Sequence, residues 1–253
     1  MPVTGNNTSI YNLSIRITAD GFSFFVTETI SGDLIHREDF TIHEDEPLSR
    51  TLAKMLVRPT IQRLQYNKVR LVIDTDSTCI PLDEFKRDDL NTFYQLVFDN
   101  ADLEANKVCY TVLPNLDVVE LFTVPNDICD AISEIYPDVI LTNSYATVME
   151  RTAAFCQRRN PANRPLFVYA QNKQLFVYCI YQNELLFANS FMVENGQTAL
   201  YFLLSVWKEL GLDVRENTCF IAGDPEPAKK LAEEARDYLL HVEHTNEVDL
   251  EHL

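Results

Sequence analysis

Polar and apolar residues alternate along the start of the chain with the period of two that a half-buried strand requires. Leu13–Thr18 is one such run, Phe22–Thr29 a second and Leu34–Phe40 a third. Asp20-Gly21 and Ser31-Gly32-Asp33 stand between them, and both are strong hairpin signals. From Pro47 to about Arg58 the period changes. Leu48, Leu52, Met55 and Leu56 fall on one side of a helix, which Pro59 interrupts. KVRLVIDT, Lys68 to Thr75, then reads as a strand buried on both faces.

The same order returns about 150 residues later. Strands Leu166–Ala170, Gln174–Tyr181 and Leu185–Phe191 are separated by turns at Gln171-Asn172-Lys173 and Gln182-Asn183. Helix Gly196–Leu210 is apolar nearly all round and is expected to be buried. Strand Thr218–Ala222 ends in Gly223-Asp224. A helix from Pro225 to about Leu240 follows, with Ala228, Leu231, Ala232, Ala235 and Leu239 as its apolar stripe. Between the two copies lie strands Thr78–Pro81, Val108–Leu113 and Val118–Val124, helices Asp88–Phe98 and Asp127–Ile135, and a final run Val139–Ser144. The pattern predicts an α/β fold with a duplicated β-β-β-α-β unit, two lobes around a cleft. The first lobe spans 1–160 with an inserted subdomain at about 78–136. The second spans 161–253, and the proline-flanked basic stretch Arg158–Pro165 is the boundary.

Composition adds class and location. The 253 residues are 46% hydrophobic and 23% charged, as in soluble globular proteins. MPVTGNNTS lacks a basic start followed by an apolar core, and no apolar run approaches the ~20 residues of a membrane span, so a cytoplasmic protein is expected. A formal charge of -17 opposes binding to nucleic acid or to anionic membrane. The six cysteines show no CxxC spacing and read as free, small hydrophobes. No metal site is expected: His241 and His244 could share a helix face, but as a solvated pair.

The charge is uneven. Arg151, Arg158, Arg159, Arg164 and Lys173 occur with no acid between them, whereas Glu233 to Leu253 holds seven acids and one arginine. These segments are a solvated inter-lobe linker and an acidic tail, or else a docking patch for an acidic partner. Arg50, Lys54 and Arg58 are similarly a solvated helix face or a docking stripe.

LSIRITADGFSF and LFVYCIYQNELLFANSF are similar to a bacterial family of unknown function from the Bacteroides group with an actin-like ATPase fold. The duplicated halves resemble, more distantly, the actin homologues of type IV pilus assembly and cell division. The resemblance implies an ATP cleft built from three loops. Two hairpins usually carry an acid and glycines for the phosphates and Mg²⁺, and a third, glycine-rich loop passes the adenosine. Here the first hairpin offers Asp20 and Gly21. The second offers Gln171 and Asn172, with neither acid nor glycine, and the third offers Gly223 and Asp224. Only 6 glycines occur, about a third of the usual ~7% share. Phosphate cradles need backbone without Cβ atoms. The expectation is therefore a non-catalytic or nucleotide-sensing cytoplasmic adaptor, a pseudoenzyme that takes a protein partner. No catalytic residue, metal or cofactor is assigned beyond weak binding of ATP and Mg²⁺ in the cleft.

Two alternatives stay open. One is an active ATP-dependent ATPase or kinase of the same fold. The other is a haloacid dehalogenase-like Mg²⁺ phosphatase. Its marks would be Asp74 as nucleophile and Asp76 as acid/base at a strand end, Thr142 and Asn143 for phosphate, and Lys229 or Lys230 later in the chain. Against the phosphatase, STCIPLDEF after the aspartates reads as another strand rather than a glycine turn into a helix.

Overall fold

A computed structural model describes residues 10–18, 21–41, 47–62, 64–161, 163–171 and 173–248. The chain runs β1 (Tyr11–Thr18), β2 (Gly21–Glu28), β3 (Leu34–Thr41), α1 (Leu48–Leu56), α2 (Pro59–Gln62) and β4 (Tyr66–Ile73). Next come β5 (Ser77–Pro81), α3 (Leu90–Val97), β6 (Asn106–Leu113), β7 (Val118–Pro125), α4 (Asn126–Ile135), β8 (Ile140–Asn143) and α5 (Ser144–Arg159). The second copy is β9 (Leu166–Ala170), β10 (Gln174–Tyr181), β11 (Glu184–Met192), α6 (Gly196–Glu209), β12 (Cys219–Gly223), α7 (Pro225–Ala235) and β13 (Val242–His244).

The predicted duplication is present as two five-stranded sheets of the same order, β3-β2-β1-β4-β8 and β11-β10-β9-β12-β13. Each begins as an antiparallel meander and continues with strands parallel to its first strand. Helix α1 packs on α4 as α6 packs on α7. The equivalence therefore extends past the β-β-β-α-β unit to one more helix and strand in each half. A separate three-stranded sheet, β5-β7-β6, interrupts the first half between β4 and α4.

Local chemistry explains most element ends. The β10–β11 hairpin turns on Gln182 and Asn183, both at positive φ (53° and 65°), the geometry that matches strand twist. Gly32 (φ 74°) serves the β2–β3 turn. Helix α1 stops at Leu56, and Pro59 opens the short α2, as the proline predicts.

Several expectations need correction. Helix α6 is not buried all round: Leu203, Val206 and Trp207 are buried, but Tyr201 is 66% exposed. The first part of the basic stretch, up to Arg159, is not a linker. Ser144–Arg159 carries no element in the sequence pattern, yet it folds as the longest described helix, α5, with Arg158 and Arg159 in its last turn. Ten of its residues are buried, because it lies between the two sheets and carries Tyr145, Met149 and Phe155 into a core shared with Phe167, Tyr178 and Phe220. His241 and His244 do not share a helix face. His244 lies in β13, and His241 Nε2 is 3.0 Å from the Arg215 carbonyl. All six cysteines are free.

Candidate functional site

The cleft floor is built from three strands. Arg16 projects from the middle of β1, Asp74 follows β4, and Gln171 follows β9 in the other half. Asp74 holds them together. Its Oδ2 accepts from Arg16 (3.2 Å) and from Gln171 Nε2 (3.2 Å), and its Oδ1 accepts from the Ser144 hydroxyl at the start of α5. The Arg16 and Asp74 side chains are only 15% and 11% exposed. Burial alone would lower the Arg16 pKa, but Asp74, with Tyr169 and Asp224 nearby, outweighs it and holds the guanidinium charged. One knot thus spans both halves.

The loop beside it is pinned as well. Asn143 caps α5 by accepting from the Tyr145 amide (2.9 Å), and its Nδ2 donates to the Thr75 carbonyl (2.7 Å). The Thr142 hydroxyl lies 3.2 Å from that of Thr111. Both residues expected to hold phosphate in a phosphatase are engaged in holding strands and helix together. Asp76 leads directly into β5, not into a glycine turn and helix. The phosphatase alternative is corrected on that strand and on the sheet order, which is the duplicated one.

The three cleft loops come out unequally. Asp20 and Asn172 lie outside the described residues. Gly21 opens β2 in register with Thr18 and Thr41, and a Cβ there would collide with the Phe40 carbonyl oxygen. Close strand approach demands this glycine. Gly223 ends β12 at φ 119°, where a Cβ would strike the Ala170 backbone. Asp224 precedes α7 and donates its amide to the Ala170 carbonyl (2.8 Å). The structure thus brings Gln171, Gly223 and Asp224 together around Ala170, and Asp224 lies near enough to Arg16 to act on its charge. Gln171 and Asp224 also line a cavity of about 650 Å³ at the starts of α6 and α7, with Glu194, Glu226 and Lys230.

Arg16, Ser144 and Glu120 were missed as site residues. Their signals are slight: one charge inside LSIRIT, a serine after a strand, and one acid inside VVELF. Glu120, on β7, is fully buried. It accepts from the Ser77 hydroxyl (2.8 Å) while its Oε2 has no hydrogen-bond partner. Burial pushes its pKa up to about 8, against the opposing effect of Ser77 and the nearby Ala146 amide. Burial likewise raises the Tyr145 phenol, whose hydroxyl has no partner.

The basic and acidic segments also meet. Arg158 pairs with Glu247 (3.0 Å), and Arg159 with Glu243 (3.3 Å) and Glu247 (3.5 Å). Arg58, placed on the α1 face by its spacing, lies beyond that helix and pairs with Glu38 of β3 (3.0 Å).

The fold is the actin-like ATPase fold. A Bacteroides thetaiotaomicron protein with this fold and unknown function aligns with 100% of this chain and 97% of its own, at TM-score 0.85 and 22% identity. A chain of the PilM-PilN type IV pilus biogenesis complex aligns with 93% of this chain and 88% of its own, at TM-score 0.58 and 10% identity. No curated protein matches the chain. With the sheet order and the structural likeness agreeing, the sequence match over residues 3–242 completes the assignment: the chain belongs to the family described as protein of unknown function (DUF3822).

Proposed function

We propose that this chain is a non-catalytic, at most nucleotide-sensing, actin-like adaptor that works in the cytoplasm through a protein partner. One observation carries it: the Asp74 carboxylate on the cleft floor is taken up by Arg16, Ser144 and Gln171. An ATPase of this fold needs an acid free to position Mg²⁺ or water, and backbone free to approach phosphate. Here the second hairpin presents Gln171, and the glycines of the first and third loops face the Phe40 and Ala170 backbones. In the neighbouring cavity Glu194, Asp224 and Glu226 outnumber Lys230, which disfavours a triphosphate. ATP with Mg²⁺ therefore fits these residues poorly. A chain of this fold takes part in the PilM-PilN type IV pilus biogenesis complex, a protein assembly, which supports a protein partner here. We place the lobe division at about residue 160, with the insertion at about 78–136.

Isothermal titration with ATP and Mg²⁺, followed by a phosphate-release assay, is the test. No heat and no turnover is the expected result, and binding without turnover leaves a nucleotide-sensing adaptor. Micromolar binding with turnover that Asp20→Ala abolishes would restore an ATPase or kinase.

A further inference from the structure

Beside the cleft floor, a groove of about 720 Å³ opens between the inserted sheet and the second half. One wall is the end of α3 and the loop after it, with Val97, Asp99 and Asp102, together with Asp76 from the β4–β5 loop. The facing wall carries Lys173, from the β9–β10 loop, and Met192, at the end of β11. Asp74 closes the bottom with its carboxylate already shared with Arg16.

Its chemistry is two-sided. Asp76, Asp99 and Asp102 are exposed acids, against one described lining cation, Lys173. Two of these positions are anchored by the backbone. The Asp76 carbonyl accepts from the Tyr94 hydroxyl (3.0 Å), and Asp102 Oδ1 accepts from the Glu104 and Ala105 amides (3.1 Å each). At the mouth, Val97 is 56% and Met192 is 70% exposed, an apolar pair on opposite walls. Water gains nothing from such side chains, so an occupant that covers them adds apolar burial to its charge pairing.

From this combination we infer that the groove is a docking site for a short, basic segment of a partner protein that alternates cationic and aliphatic side chains. The acids favour lysine or arginine and reject phosphate or nucleic acid. The exposed valine and methionine favour a peptide over a plain polyamine, which has no side chains to set against them. A second copy is disfavoured because each chain carries -17. Docking here presupposes the adaptor role proposed above, and the two can fail separately.

The probe is a fluorescein-labelled octapeptide of alternating lysine and leucine, titrated by anisotropy at 0.15 M salt to screen non-specific attraction. Asp76→Lys with Asp99→Lys should weaken binding about tenfold or more, and Val97→Ser with Met192→Ser about fivefold. Glu233→Lys with Asp237→Lys, exposed and in or just after α7, makes the same change of net charge and should leave binding unaltered. A matched lysine–glycine peptide and spermine should both bind about tenfold more weakly than the lysine–leucine probe. All variants lie at exposed positions, and thermal melts are the check that they fold. The inference is overturned if the probe does not bind, or if the control pair weakens binding as much as the groove pair. Equal binding of spermine, or a groove-dependent dimer in sedimentation, would also overturn it by naming a different occupant. ATP turnover in the separate assay refutes the adaptor role without touching these titrations.

Discussion

Replacing Glu120 by glutamine should stabilise the protein, and by more as the pH rises. The carboxyl is fully buried on β7, and burial lifts its pKa from 4.5 to about 8. In the unfolded chain it ionises near its ordinary value, so folding at neutral pH must take up a proton. The stability this group contributes is complete below pH 4.5 and falls as pH rises through the window up to about 8. The slope is about 1.4 kcal/mol per pH unit, so the cost at pH 7 is on the order of 3 kcal/mol. Glutamine keeps the shape and still accepts from the Ser77 hydroxyl. Any fixed difference between the glutamine amide and the neutral carboxyl beside the Ala146 amide is the same at every pH, so only ionisation of the carboxyl makes the two diverge. Urea midpoints measured at pH 5, 6, 7, 8 and 9 give the test. The two curves should lie closest at pH 5, diverge to pH 8 and run parallel above it. Curves that stay parallel from pH 5 to 8 would refute a carboxyl held neutral by burial.

Asp74→Ala strands the Arg16 charge and frees Gln171, so urea unfolding should show a loss on the order of 3 kcal/mol, whereas nearby Asp76→Ala should cost under about 0.5 kcal/mol. Gly223→Ala should cost about 2 kcal/mol or more in the same assay, because φ is 119° and the Ala170 backbone fills the space. Gly211→Ala, at φ 61° with open space around it, should cost only about 1 kcal/mol. Reversing Arg158 and Arg159 to glutamate should lower the melting temperature by a few degrees at low salt, and by less at high salt. Their partners Glu243 and Glu247 are about half exposed, and such pairs contribute about 1 kcal/mol or less.

Strands and their order were legible because their causes are local. Alternation in Leu13–Phe40 and Leu166–Phe191, with Gly32, Gln182 and Asn183 at the turns, specified two meanders, and their repetition specified the duplicated fold. Pro59 stopped one helix, and the run KVRLVIDT declared a central strand. What failed depended on distant residues. Helix α5 looked like a linker because its polar, basic end dominates the eye, and only the sheets on either side explain its buried Tyr145 and Phe155. Strand β13 is three residues long and exists because β12 offers an edge. Asp74 and Gln171 stand 97 positions apart, so no spacing rule joins them, and nothing in LSIRIT says that its lone arginine meets a carboxylate 58 positions on. Periodicity and turn chemistry act over a few residues and can be read along the chain. Charge pairing, burial of a carboxyl and the demand for Gly223 are set by what distant parts of the chain bring within a few ångströms, and only folding decides that.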